Sequence, residues 1–336
     1  MPDNPESGSA EPRISVSVQA EPADLESWLA LARRLEAAGF AALLMGDHPG
    51  SGASPWPALG CAAAVTRTLR LGTYVVQAGV REPMHVAADA ATLNLLAPGR
   101  VLLGIGAGHT PREWSDIGRD RPSPSERAGR LAEFAEAVAG LLAGPSVTLD
   151  GQYLAVRDAR LDGVLAGPAQ ASTAQASAAP VRLVIGGGHP RLLRAAARWA
   201  DGVGLAGLGR TLPDGHQHEV RWSAADLRGQ LDLIRAEASR AGRGAPGLEA
   251  LVQVVRVTDD RDAALAEVGA EIPSASAEDL DRTPFLLIGS YEQLAAQLRR
   301  QAGELGITSY VVREPAVPDL ERVLPLLRGT RTSQSL

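Results

Sequence analysis

Short β-branched or apolar runs alternate with amphipathic stretches eight times along the chain. The runs begin near residues 14, 40, 69, 101, 181, 202, 251 and 307, and each is followed by a helical pattern. Ile14–Val18 follows a polar lead. Asp24 then caps a helix whose apolar face is Leu25, Trp28, Leu29, Leu31 and Leu35, and Gly39 closes it. Strand and helix keep alternating through Phe40–Met45, Leu69–Val76 and Val101–Ile105, and again through Val181–Ile185, Gly202–Leu205, Leu251–Val257 and Ile307–Val312. Repeated βα units imply a parallel sheet. Eight of them in one chain with no domain break predict a closed (β/α)8 TIM barrel rather than an open doubly wound sheet. The rhythm fails at residues 145–180. Val147–Val156 reads there as a hairpin about Asp150-Gly151, and an Ala/Ser/Gln/Gly-rich stretch from 163 to 180 reads as a mobile insertion. The expected division is a disordered lead over 1–12, one barrel domain over 13–328 and a disordered tail over 329–336.

Composition removes whole classes of chemistry. All 33 basic residues are arginine. Without lysine there is no Schiff-base enzyme, no P-loop NTPase and no protein kinase. Any anion must be met by Arg, backbone N–H groups or helix N-termini. A net charge of −6, with both signs mixed along the chain, argues against nucleic-acid or anionic-membrane partners. The single cysteine, Cys61, cannot form an internal disulfide, which fits a cytoplasmic protein. It lies in an Ala-rich helical run and reads as a buried structural thiol. No apolar run is long enough to span a membrane, and the lead lacks a signal-peptide core.

In a (β/α)8 barrel the chemistry sits at the C-terminal ends of the strands. Those ends carry Gly46-Asp47-His48 after the second strand and Tyr74, Val75 and Gln77 at the third. Gly106-Ala107-Gly108-His109 follows the fourth, and Gly186-Gly187-Gly188-His189 the fifth. Gly186–Gly188 runs into a helix with Pro190 in its first turn. Its amides and the helix dipole suit a phosphate, although a tight βα turn needing positive φ would also call for glycine. Gly104-x-Gly106-x-Gly108 lacks the spacing of a dinucleotide fingerprint and suits close approach of a flat ligand. His48 is placed to act as a general acid or polarising donor, with Asp47 either orienting it or capping the loop. His216 and His218 lack a third ligand nearby and read as solvated loop residues, so no metal site is expected.

With these residues in place the chain resembles the bacterial luciferase-like flavin and deazaflavin oxidoreductases, most closely the coenzyme F420-dependent branch. The segments that carry the resemblance are "GFAALLMGDH", "LRLGTYVVQAGVREPMHVAADAATLNLLAPGRVLLGIGAGH", "VRLVIGGGHPRLLRAAARWADGVGL" and "FLLIGSYEQLAAQLRRQAGELGITSYVV". The resemblance implies that His48 faces the reactive ring of the cofactor. It implies a third-strand bulge, often with a non-proline cis peptide, at about Tyr74–Val75. Gly106 and Gly108 would line the ring, and Gly186, Gly187, Gly188 and His189 would take the phosphate. It further implies a homodimer. The sugar-phosphate dehydrogenases of the family carry a glutamate after the fourth-strand glycines; here His109 stands there, as a second acid or a substrate ligand. Their aromatic residue after the second-strand histidine is replaced by Gly50, Ser51 and Gly52. The expected activity is hydride transfer between coenzyme F420 and an activated C=C or C=N of a small molecule. The alternatives are an FMN-dependent monooxygenase supplied by a partner flavin reductase, and a non-catalytic cofactor carrier. Arg81, Arg112 and Arg191 are candidates for an anionic cofactor tail.

Overall fold

A computed structural model describes residues 13–144, 146–162, 180–212, 218–272 and 274–328. The expected lead and tail, nearly all of the Ala/Ser/Gln/Gly-rich stretch, and His216 lie outside the described residues. Eight parallel strands close into a barrel: β1 (Ser15–Gln19), β2 (Ala42–Met45), β3 (Arg70–Gln77), β4 (Val101–Gly106), β5 (Arg182–Gly186), β6 (Gly202–Leu205), β7 (Gly247–Leu251) and β8 (Ile307–Arg313). Each strand pairs with its neighbours in sequence, and β1 closes the ring on β8 from Ser15↔Ser309 to Gln19↔Arg313. The predicted (β/α)8 barrel is therefore the observed architecture.

Alternation along the strands produces two apolar layers. Ala42 and Leu44 of β2, Tyr74 of β3, Leu102 of β4, Val184 of β5 and Val311 of β8 form a buried cluster that fills the lumen. Their outward neighbours, such as Leu43, Leu71, Leu103, Ile185 and Val312, belong to the larger cluster beneath the helices. Truncating a fully buried leucine in either layer to alanine costs about 2–5 kcal/mol. The helices are fixed by local signals. Asp24 accepts from the Ser27 amide at 2.9 Å, and Gly39 ends that helix at φ +82. Ser123 and Glu126 form a reciprocal capping box on the helix Pro124–Ala143.

Two expectations change. The seventh barrel strand is Gly247–Leu251, not Leu251–Val257. At Val252 the chain turns out of the barrel, and Val254–Val257 pairs in parallel with an unforeseen strand, Leu286–Gly289. The β-branched valines on both sides of Gln253 hid the turn, which is held by the Gln253 amide on the Phe285 carbonyl at 2.8 Å. Cys61 is exposed rather than buried, because the inward face of its helix is taken by Leu59, Ala62 and Ala63. A short helix, Pro111–Ser115, and an antiparallel pair, Leu208–Thr211 with His218–Val220, appear beyond β4 and β6. The hairpin near 150 is present as Val147–Asp150 against Ala155–Ala159.

Candidate active site

The end of β2 presents Asp47 and His48 in opposite roles. Asp47 is 2% exposed and turned toward β3. It accepts from Arg81 through Nη2 at 2.7 Å and Nε at 3.0 Å, and from the Gln77 amide at 3.4 Å. The residue that orients His48 is instead Glu113, on the short helix opened by Pro111. Its Oε1 lies 2.7 Å from His48 Nδ1, and its side chain is buried while His48 is partly open. This hydrogen bond, followed by the nearby charge of the same carboxylate, outweighs burial and holds the His48 pKa above its ordinary value. With Nδ1 committed to Glu113, Nε2 is the atom left for chemistry.

Three imidazoles run across the mouth of the barrel. The rings of His48 and His109 are 5.5 Å apart at 20°, and those of His109 and His218 are 4.9 Å apart at 43°. Burial, then the neighbouring His218 and His48, and then Arg121 and Arg127, push the His109 pKa down to about 4. His109 is therefore neutral near pH 7 while its neighbour His48 is biased toward the proton. No group of three metal-binding side chains occurs among the described residues.

The peptide between Tyr74 and Val75 is cis, and the β3–β4 register shifts between Thr73 and Val76. The Gln19 side-chain amide donates to the Tyr74 carbonyl at 2.5 Å. Glycines on the next three strands make room for this bulge. A Cβ on Gly106 would fall 2.4 Å from Val75 Cγ2, one on Gly186 would fall 3.2 Å from Val75 Cγ1, and one on Gly204 would fall 2.5 Å from the Tyr74 hydroxyl. Gly108, at φ +76, has Gln77 and Trp114 against it. Gly106 and Gly108 thus border the bulge itself.

After β5, Gly187 alone adopts a left-handed conformation, at φ +135, and its amide is already spent on the Gly204 carbonyl at 3.0 Å. His189 caps the helix Pro190–Trp199, its Nδ1 accepting from the Arg191 amide at 3.2 Å. Of this loop the Gly188 and His189 amides have no backbone partner among the described residues.

Buried side-chain atoms without hydrogen-bond partners concentrate at this end of the barrel. Among the described residues they are both polar atoms of Gln77, Glu113 Oε2, the Tyr74 hydroxyl, Trp222 Nε1, and Nε of Arg121 and Arg127; one more, Arg182 Nε, lies at the start of β5. Such atoms cost about 1–3 kcal/mol each when left dry, so their clustering marks a place where a polar ligand completes the bonding. Burial holds the Tyr74 phenol well above its usual pKa, so it stays a neutral donor. Sequence reasoning brought His48, His109, Tyr74, Val75, Gln77 and the glycines to one face. It missed Glu113, Arg121 and Arg127, and it read His218 as a solvated loop residue, whereas that half-buried side chain stands in the strand His218–Val220 with its ring on His109. Glu113 carried a faint signal: an acid two residues after a proline that can open a helix. The nominated arginines serve elsewhere: Arg81 holds Asp47, Arg112 pairs with Asp116 at 3.3 Å on the surface, and Arg191 is exposed.

The profile of the luciferase-like monooxygenases matches residues 8–309. An F420-dependent glucose-6-phosphate dehydrogenase of Beutenbergia cavernae is 36% identical over 216 residues, 60% of this chain and 58% of that protein. The match with the Kribbella flavida protein of the same name is 27% over 259 residues, 74% of this chain and 70% of the other. The chain thus aligns with little more than half the length of the first of these relatives. Among solved structures, an F420-dependent secondary alcohol dehydrogenase bound to an F420-acetone adduct superposes with a TM-score of 0.70 at 18% identity, covering 94% of this chain and 100% of that one. A long-chain alkane monooxygenase superposes with a TM-score of 0.68 at 18% identity, over 94% and 91%. At these identities the structures speak for the fold.

Proposed function

The chain belongs to the luciferase-like monooxygenase family, and from that premise we propose that it is a coenzyme F420-dependent oxidoreductase acting on a small organic substrate. The observation that carries the reading is buried Gln77, both of whose side-chain polar atoms lack a partner, on the same strand as the cis Tyr74–Val75 peptide and walled by Gly106 and Gly108. A flat heteroaromatic ring with polar edges fits there. Support for the deazaflavin comes from the names of the most similar relatives.

The residues divide the work. Val75, packed against Gly106 and Gly186, would form the floor under the ring, and Gln77 would bond its polar edge. The Gly188 and His189 amides at the helix start would take the phosphate. Coenzyme F420, when bound, supplies or accepts a hydride. His48 holds a proton at Nε2, kept available by Glu113, and delivers it to the substrate as the general acid. His109, neutral and adjacent, is a hydrogen-bonding ligand for substrate rather than a second acid. The substrate class with an activated C=C or C=N remains our proposal for the acceptor, and the protein is proposed to be a cytoplasmic homodimer.

Fluorescence titration with F420 and with FMN tests the reading, together with mass spectrometry of any copurified cofactor. Saturable F420 binding with weak or absent FMN binding is expected. Tight FMN binding with no response to F420 sinks the proposal in favour of an FMN-dependent monooxygenase supplied by a flavin reductase.

A further inference from the structure

Arg121 and Arg127 flank the segment that leads from the short helix into the helix Pro124–Ala143. Arg121 reaches across the mouth, its Nη2 lying 3.4 Å from the Thr211 hydroxyl. Thr211 is the cross-strand partner of His218, whose ring packs on His109. Arg127 donates through Nη1 to the Pro122 carbonyl at 2.6 Å, and its guanidinium lies 5.9 Å over the Trp114 ring. Trp114 in turn backs Gly108. Other half-buried arginines are answered: Arg81 by Asp47, Arg182 by Glu249, and Arg100 by the Thr66 hydroxyl and the Leu69 carbonyl. Arg121 and Arg127 have no carboxylate within 4.0 Å among the described residues, and each keeps a buried Nε without a partner.

Two adjacent cations that are partly desolvated and uncompensated repel each other, and this is tolerated where an anion completes the site. We propose that Arg121 and Arg127, with His218 beside them, form an oxyanion subsite that takes the carboxylate or phosphate of the substrate. The substrate is then a small anionic compound. Its acidic group sits at the arginines, His109 lies alongside its middle, and its reacting carbon lies next to His48. The guanidinium forks suit a planar or tetrahedral oxyanion through paired hydrogen bonds, and in a chain without lysine arginine is the one side chain that keeps its positive charge at every physiological pH. The subsite rests on the F420 reading only in assigning the anion to the substrate rather than to the cofactor.

Calorimetric titration of the F420-loaded protein with inorganic phosphate tests this, with Arg121→Gln, Arg127→Gln, the double variant and Arg112→Gln. Arg112 is a surface residue outside the subsite. Saturable binding is expected in the wild type. Each single variant should weaken it about tenfold, the loss typical of one charge-assisted hydrogen bond. The double variant should abolish it, Arg112→Gln should leave it unchanged, and Arg127→Lys should lose less than Arg127→Gln. F420 affinity should be the same in all. Phosphate binding that is unsaturable, or that survives in the double variant, overturns the subsite. Blockage of phosphate by F420, but not by a deazaflavin core lacking the phosphate tail, reassigns the arginines to the cofactor and overturns the substrate assignment. If F420 does not bind the wild type, the functional reading fails separately, and arginine-dependent phosphate binding to the unloaded protein still establishes the anion site.

Discussion

At the scale of single residues the site rests on two histidines whose proton affinities are shifted in opposite directions. The Glu113 carboxylate raises His48, so the proton on that ring persists to higher pH than on an ordinary histidine. As the general acid, His48 supports turnover below its pKa and loses it as pH rises through that pKa. Glu113→Gln removes the charge and keeps a hydrogen-bonding group. The alkaline limb of the kcat/KM profile should therefore move to lower pH, with a fall of about tenfold or more in rate near neutral pH. An unmoved limb would separate His48 from the proton step. The same pair stabilises the fold most at pH below the ordinary histidine value, and that contribution fades as pH rises through the raised one. His109 has the opposite sign. Its folded pKa of about 4 lies below the unfolded value near 6.5, so the unfolded chain binds the extra proton first. Stability should be full above pH 6.5 and decline toward pH 4. In urea denaturation at pH 7 and pH 5, His109→Gln should lose less stability between the two than the wild type; an equal loss would show that His109 does not titrate as its surroundings dictate.

At the scale of elements, what could be read from the sequence followed the range of the signal. Strand ends were legible because β-branched runs stop at glycines, as at Gly46, Gly106 and Gly186. The turn glycine at Gly187 and the cap at Gly39 were legible from chain position alone. The helix Pro111–Ser115 was not, since five residues are too few to show a period, and Glu113 went unseen with it. The pairing of Val254–Val257 with Leu286–Gly289 depends on a contact some thirty residues away that no local pattern records. The glycines facing the β3 bulge combine both kinds of information: their presence is visible, and their reason is spatial. Gly106→Ala would place a methyl 2.4 Å from Val75 Cγ2, and a valine cannot swing away because its χ1 is restricted. We expect about 1–3 kcal/mol of destabilisation, with a matching loss of cofactor affinity. Gly229→Ala, within the helix Ala224–Arg240 and with nothing within 4 Å, should stabilise by about 0.5–1 kcal/mol. Urea melts of the two variants check this, and equal effects would refute the steric account.

For the whole molecule, the distribution of charge separates one face from the rest. Most outer helices carry mixed Arg and acid on their exposed sides, as the helix Ala224–Arg240 does. From Pro49 to Thr66 there is no charged residue at all. The helix Pro55–Val65 exposes Pro57, Cys61 and Ala64, with Trp56, Gly60 and Val65 half-buried beside them, and Leu95 and Leu96 are exposed on the neighbouring helix Pro83–Leu96. Small, uncharged side chains let helices of two copies approach closely, and a two-fold axis through this face would give each copy the same complementary surface. The proposed homodimer is placed here. Ala64→Arg puts a charge, and a side chain too long to fit, at the centre of the face. Light scattering on the eluting protein should give twice the 35.0 kDa chain mass for the wild type and the single-chain mass for the variant. A wild type that elutes at 35.0 kDa, or a variant that still elutes at twice that mass, would place the interface elsewhere or remove it. Because Ala64 is exposed on the outer helix Pro55–Val65, away from the strand end that carries His48, F420 binding should survive the substitution. The same variant therefore also shows whether each barrel holds a complete site.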